Sequence, residues 1–114
     1  MTPQIWHNPR CSKSRETLAL LKENGVEPEI ILYKDNAPSA ADIRAVLAAL
    51  GKTPLELIRQ NDAAFKELGL EGADDEALLK AMAAHPAIIE RPVVRHKGQA
   101  ALGRPPEDVL KLFK

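Results

Sequence analysis

One cysteine in 114 residues leaves no partner for an internal disulfide, which excludes a secreted disulfide scaffold and a cysteine-rich zinc fold. Aromatic residues make up only 4% of the chain, so a basic patch interleaved with stacking rings is missing and nucleic-acid binding is not expected. Charge of one sign is missing too. Sixteen Lys and Arg balance sixteen Asp and Glu, leaving no long-range field to draw in nucleic acid or anionic lipid. Any anion must therefore be held by a local cluster. No stretch approaches the ~18 consecutive apolar residues of a membrane span, and the first ten residues lack the apolar run of a signal peptide. The expectation is a cytoplasmic protein without a membrane role. The three histidines show no ligand spacing with Cys11 or with one another, so no metal site is expected. What the chain does have is a 45% hydrophobic share, too high for disorder, and a length suited to one domain.

The apolar pattern orders the elements. Gln4 to His7 reads as a short strand stopped by Asn8-Pro9. A helix follows from about Ser12 to Asn24, with Leu18 and Leu21 on one face and Gly25 at the C′ position. Glu29 to Tyr33 then reads as a buried strand, completing a βαβ unit with a right-handed crossover. The middle is helical. Ser39-Ala40-Ala41-Asp42 and Thr53-Pro54-Leu55-Glu56 have the form of capping boxes, and a further helix is expected over Asp75–Ala84, with Leu78, Leu79 and Met82 inward. Pro92–His96 and Gln99–Leu102 are hairpin strands around Lys97-Gly98. Pro105-Pro106-Glu107-Asp108 opens a terminal helix with Val109, Leu110 and Phe113 as its stripe. The fold class is α/β: a small mixed sheet in the order βαβ, helical insert, ββα.

Cys11 falls where the first strand hands over to the first helix, inside His7-Asn8-Pro9-Arg10-Cys11-Ser12-Lys13-Ser14-Arg15. A helix N-terminus presents free N–H groups and the positive end of the dipole, and both favour a thiolate. A free thiol with a pKa of about 8.5 is roughly 3% ionised at pH 7, and lowering that pKa by about two units costs ~2.7 kcal/mol. A helix terminus supplies up to ~2 kcal/mol, and one or two nearby cations can supply the rest. The competing reading is a small buried hydrophobe, but Arg10, Ser12, Lys13, Ser14 and Arg15 make a poor apolar wall. The same groups suit an oxyanion. For Ser12 and Ser14 the competing role is plain helix capping, and for Arg15 a solvated first turn. Arg59, Arg91, Arg95 and Arg104 lie far along the chain, and pattern alone does not bring them together. His7 reads either as a strand end or as a group that tunes the thiol, His96 as an exposed residue near the hairpin turn, and Trp6 and Tyr33 as core or rim aromatics.

These strings, with Ile-Ile-Leu-Tyr, Leu-Ile-Arg-Gln-Asn around Arg59, Glu-Leu-Gly-Leu, Glu-Arg-Pro-Val-Val around Arg91 and Gly-Arg-Pro-Pro near the end, resemble the glutaredoxin-coupled arsenate reductase family (ArsC-like). The resemblance runs nearly end to end. It implies a thioredoxin-like fold in a single domain, residues 1–114, with a helical insertion at about 39–86. By the same resemblance, Cys11 is the nucleophile and His7 lowers its pKa. Ser14 and Arg15 lie in the oxyanion loop, Arg59, Arg91 and Arg104 surround the bound oxyanion, and Pro92 is a cis-proline. The implied reaction is reduction of arsenate to arsenite by a monomer with no bound cofactor, using glutathione as co-substrate and glutaredoxin as partner.

Two positions differ from better-known members. Ser12-Lys13 stands for Gly-Thr after the cysteine, and Gly103 precedes Arg104 where a cysteine is expected. The form Cys11-Ser12-Lys13-Ser14 also permits a monothiol glutaredoxin-like oxidoreductase. A further resemblance reaches Spx-type regulators that contact RNA polymerase. Many of those carry a second cysteine where this chain has Ser14, so a disulfide switch is not open to it.

Overall fold

Three of the four sheet strands alternate their side chains between two cores, and that alternation sets the architecture. In the computed structural model, which describes residues 2–113, β1 (Gln4–Trp6) sends Ile5 to one face and Trp6 to the other. The hairpin strands β3 (Val93–His96) and β4 (Gln99–Leu102) do the same, Val93 and Ala100 facing the Trp6 side, Val94 and Ala101 the Ile5 side. The strand order is β2-β1-β3-β4, with β2 (Glu29–Ile31) parallel to β1 and the other pairs antiparallel. The mixed α/β, thioredoxin-like class expected from the sequence is what the chain adopts.

Helix α1 (Ser12–Glu23) covers the Ile5 face with Leu21. It ends where Gly25 takes a φ of 77°, letting Val26 N–H reach Leu21 O at 2.9 Å and Gly25 N–H reach Lys22 O at 3.1 Å. The opposite face is covered by helices between β2 and β3: α2 (Ala40–Leu50), α3 (Pro54–Leu57), α4 (Ala63–Glu67) and α5 (Asp75–Ala84). Both capping boxes form. Asp42 N–H donates to Ser39 Oγ at 3.1 Å, and Thr53 N–H donates to Glu56 Oε1 at 2.9 Å. Leu78, Leu79 and Met82 are buried as expected. Among the described residues no helix is long and apolar enough to cross a membrane.

Three expectations change. Glu29–Tyr33 is not a buried strand. β2 is an edge strand paired only with β1, leaving Ile30 44% and Leu32 39% exposed while Tyr33 alone turns fully inward. The terminal segment Pro106–Phe113 is a 3-10 helix, whose three residues per turn bury Pro106, Val109 and Leu112, while Leu110 and Phe113 pack half-buried against the same core. His96, expected near the surface, is half-buried and stacks on Phe113 with ring centroids 4.7 Å apart. The Arg91–Pro92 bond is cis, as the resemblance implied, and so is Arg104–Pro105.

Gly103 has a local reason to lack a side chain. Its N–H donates to Pro92 O at 3.0 Å, and a Cβ there would lie 2.7 Å from Pro92 Cγ and closer still to Thr17 Oγ1. A cysteine at this position would collide with both. The buried Thr17 on α1 is itself committed, its hydroxyl donating to Lys13 O at 2.7 Å.

Candidate active site

Cys11 is the N-cap residue of α1, 9% exposed, at the end of a loop that folds tightly back on itself. Cys11 N–H donates to Asn8 O at 3.0 Å, and Arg10 N–H donates to the Asn8 side-chain oxygen at 3.0 Å. Behind this turn Ser14 is fully buried. Its hydroxyl lies 2.6 Å from His7 Nδ1 and accepts from Asn8 N–H at 3.0 Å. All partners are satisfied when the hydroxyl donates to Nδ1, which assigns a neutral His7 with its proton on Nε2. The electrostatics agree: burial first, then Arg15 and Lys22, hold the His7 pKa below the ordinary imidazole value. His7 therefore braces Ser14 and is not a cation beside the sulfur, and it is not among the groups that lower the thiol pKa.

The sulfur makes no short capping bond, yet its charge is favoured from several sides. Burial pushes the thiol up, but the Ser14 N–H, the Arg91 side chain and the Lys13 N–H together bring it below an ordinary cysteine. The arginines that pattern could not assemble do converge. Arg104 Nη2 lies 3.8 Å from Cys11 Sγ, and its Nε donates to Arg91 O at 2.8 Å. Arg91 Nε and Nη1 are buried without a hydrogen-bond partner, which is costly unless a ligand or water accepts from them. Arg59 reaches the same cluster from the end of α3, its Nη1 bonded to Asp62 Oδ2 at 2.8 Å and its Nε 3.8 Å from Glu90 Oε1.

Not every residue named from sequence joins this group. Arg15 is exposed and donates to Pro9 O at 2.9 Å, closing the loop, so binding an oxyanion would require it to leave that carbonyl. Ser14 contributes its main-chain N–H, since its hydroxyl is used internally. Arg95 points to the insert and pairs with Asp42 at 3.7 Å.

Two residues at this site were given no part in it by the sequence reading. Tyr33, one residue past the Leu32 that flanks the edge strand, is 1% exposed with its hydroxyl unpartnered. Burial raises its pKa, while Arg91 and Arg59 pull it down and the Cys11 charge pushes it up, so the phenol stays a neutral donor. Glu90 faces both Arg59 and Arg104, a contact invisible until α3 and the strap before β3 are placed side by side. Among the described residues no group of three or more His, Cys, Asp or Glu is placed to hold a metal ion.

The site thus sets a buried thiol at a helix N-terminus beside arginines drawn from three separate segments. The model of the ArsC family matches residues 6–112. The chain belongs to the ArsC family. An ArsC relative in Escherichia coli, the uncharacterised protein YfgD, is 52% identical, with 98% of each chain covered. An arsenate reductase of Neisseria meningitidis serogroup A is 44% identical over 93% of each chain. The solved arsenate reductase of Vibrio cholerae superposes with a TM-score of 0.94 at 45% identity, covering 98% of both chains.

Proposed function

We propose that this ArsC protein reduces arsenate to arsenite, with Cys11 as the nucleophile. The observation that carries the reading is one sulfur, ionised more readily than an ordinary thiol, beside an Arg91 guanidinium whose buried Nε and Nη1 lack acceptors. An oxyanion supplies those acceptors. The Cys11 thiolate attacks arsenic, an As–O bond breaks, and the departing hydroxide takes a proton to leave as water. Arg91, Arg104 and Arg59 offset the charge as the As–S bond forms, and the Tyr33 hydroxyl is a neutral donor nearby. The two electrons come from two external thiols that end as a disulfide, because a chain with a single Cys has no resolving thiol. Glutathione and a glutaredoxin fill that role, in the cytoplasm, with no bound cofactor. The names of the relatives support the substrate.

The test is NADPH consumption with arsenate, glutathione, glutathione reductase and glutaredoxin. Arsenate-dependent turnover that disappears in Cys11→Ser is the expected result. Wild-type protein with no arsenate-dependent rate above background defeats the proposal. The second reading, a monothiol glutaredoxin-like oxidoreductase, draws on the C-x-x-S form of residues 11–14 and on the carboxylate facing two of the arginines. Transfer of glutathione to a model disulfide, unaffected by oxyanions, would favour it.

A further inference from the structure

Three guanidiniums about one sulfur would make a strongly cationic site, but the chain answers part of that charge itself. Glu90 Oε2 lies 3.4 Å from Arg104 Nε, and Oε1 lies 3.8 Å from Arg59 Nε. The backbone explains the placement. Ile58 pairs antiparallel with Ile89, flanked by Arg59 N–H to Ile88 O at 2.8 Å and Glu90 N–H to Leu57 O at 2.7 Å. Arg59 and Glu90 are therefore diagonal neighbours on one face, within reach of long side chains. Arg59, Glu90 and Arg104 also line one open basin of about 610 Å³. The carboxylate faces space that an anion can enter, on guanidiniums the anion would use.

Resting on the reading of this cluster as an oxyanion site, we propose that Glu90 is a specificity-determining residue, an internal counter-anion that an oxyanion must outcompete for Arg59 and Arg104. Among the described residues, Arg91 is the site arginine that faces no carboxylate, so an anion gains Arg91 outright but shares the other two. Each shared guanidinium has a second tether: Arg59 holds Asp62 at 2.8 Å, and Arg104 holds Arg91 O at 2.8 Å. Neutralising Glu90 therefore releases charge for a ligand without loosening the side chains that carry it. The effect is a gain of affinity, which damage to the fold does not produce.

The experiment measures the concentration of sulfate, and separately of phosphate, that half-protects Cys11 from iodoacetamide in the full chain. Glu90→Gln is expected to need about tenfold less of either anion, because a like charge beside the bound oxyanion has been removed. Glu90→Asp keeps the charge and is expected to stay within about threefold of wild type. Should Glu90→Gln fail to fold, Glu90→Ala carries the same expectation. Unchanged or weaker protection in the neutral variant, equal tightening in the Asp variant, or no protection in any variant overturns the proposal. Arsenate turnover is scored separately. Turnover without tightening removes only the role of Glu90, and tightening without turnover removes only arsenate as the substrate.

Discussion

The two halves of the site are built in opposite ways. The loop from His7 to Arg15 is contiguous in sequence, and its polar groups close on one another: His7 on Ser14, Asn8 on Ser14 and Arg10, Arg15 on Pro9. The arginine half is assembled from α3, the strap before β3 and the segment after β4, and it leaves buried donors on Arg91 unpartnered. A closed hydrogen-bond network holds one sulfur rigidly, whereas an open one waits for a ligand to complete it. In the proposed reaction the first half holds the nucleophile, and the second receives what it attacks.

That contrast breaks most sharply at the sulfur. Cys11→Ser is expected to reduce arsenate-dependent turnover to background in the coupled assay, because a serine hydroxyl at this pH is not ionised. A residual rate would show that the nucleophile lies elsewhere.

Within the arginine half, Arg91→Ala should cost more than Arg59→Ala. Arg91 both lowers the thiol pKa and carries the orphaned donors, so a loss of about 100-fold in turnover is expected, against about tenfold for Arg59. Equal losses would mean that the carboxylate partners of Arg59 do not divide its charge.

The closed half is sharpened by Ser14→Ala. Removing the hydroxyl leaves His7 Nδ1 and the Asn8 N–H without their partner in a buried setting, at a cost of roughly 1–3 kcal/mol in urea unfolding. The Ser14 main-chain N–H survives the change, so the alkylation pKa should remain below that of free cysteine. A thiol returning to ordinary reactivity would tie the sulfur to the hydroxyl instead. Gly103→Ala tests the seam between the halves, where contact with Thr17 and Pro92 predicts about 1–3 kcal/mol of destabilisation.

The smallest effect is in pH dependence. Cys11 has a depressed pKa in the folded protein, so the unfolded chain binds more protons between the folded and ordinary thiol values. Wild type should therefore gain stability over Cys11→Ser as pH rises through that window, by about 1.4 kcal/mol for each unit of depression. A gap that narrows as pH rises would contradict the lowered pKa.

Helix caps, the hairpin turn at Lys97-Gly98 and the strand-to-helix position of Cys11 were all legible because each is decided within a few residues. Side-chain hydroxyls and carboxylates meet their N–H partners three residues away, and Gly98 at a φ of 76° needs no distant neighbour. The edge position of β2 was not legible. Ile30, Ile31 and Leu32 are as apolar as a buried strand, and only the strand order leaves Ile30 and Leu32 in solvent. The 3-10 form of the C-terminus was likewise not legible, and it buries Leu112 more deeply than Leu110 and Phe113.

The site divides along the same line. That a lone thiol would stand at a helix start among polar neighbours follows from local chemistry, and the family resemblance supplied the names of its distant arginines. That Glu90 would stand between two of them, and that the Tyr33 hydroxyl would be buried with no partner, was decided only by packing. Charge and hydrogen bonding act through space over a few ångströms, and residues 33, 59, 90 and 104 reach that range only once the insert has folded against the sheet.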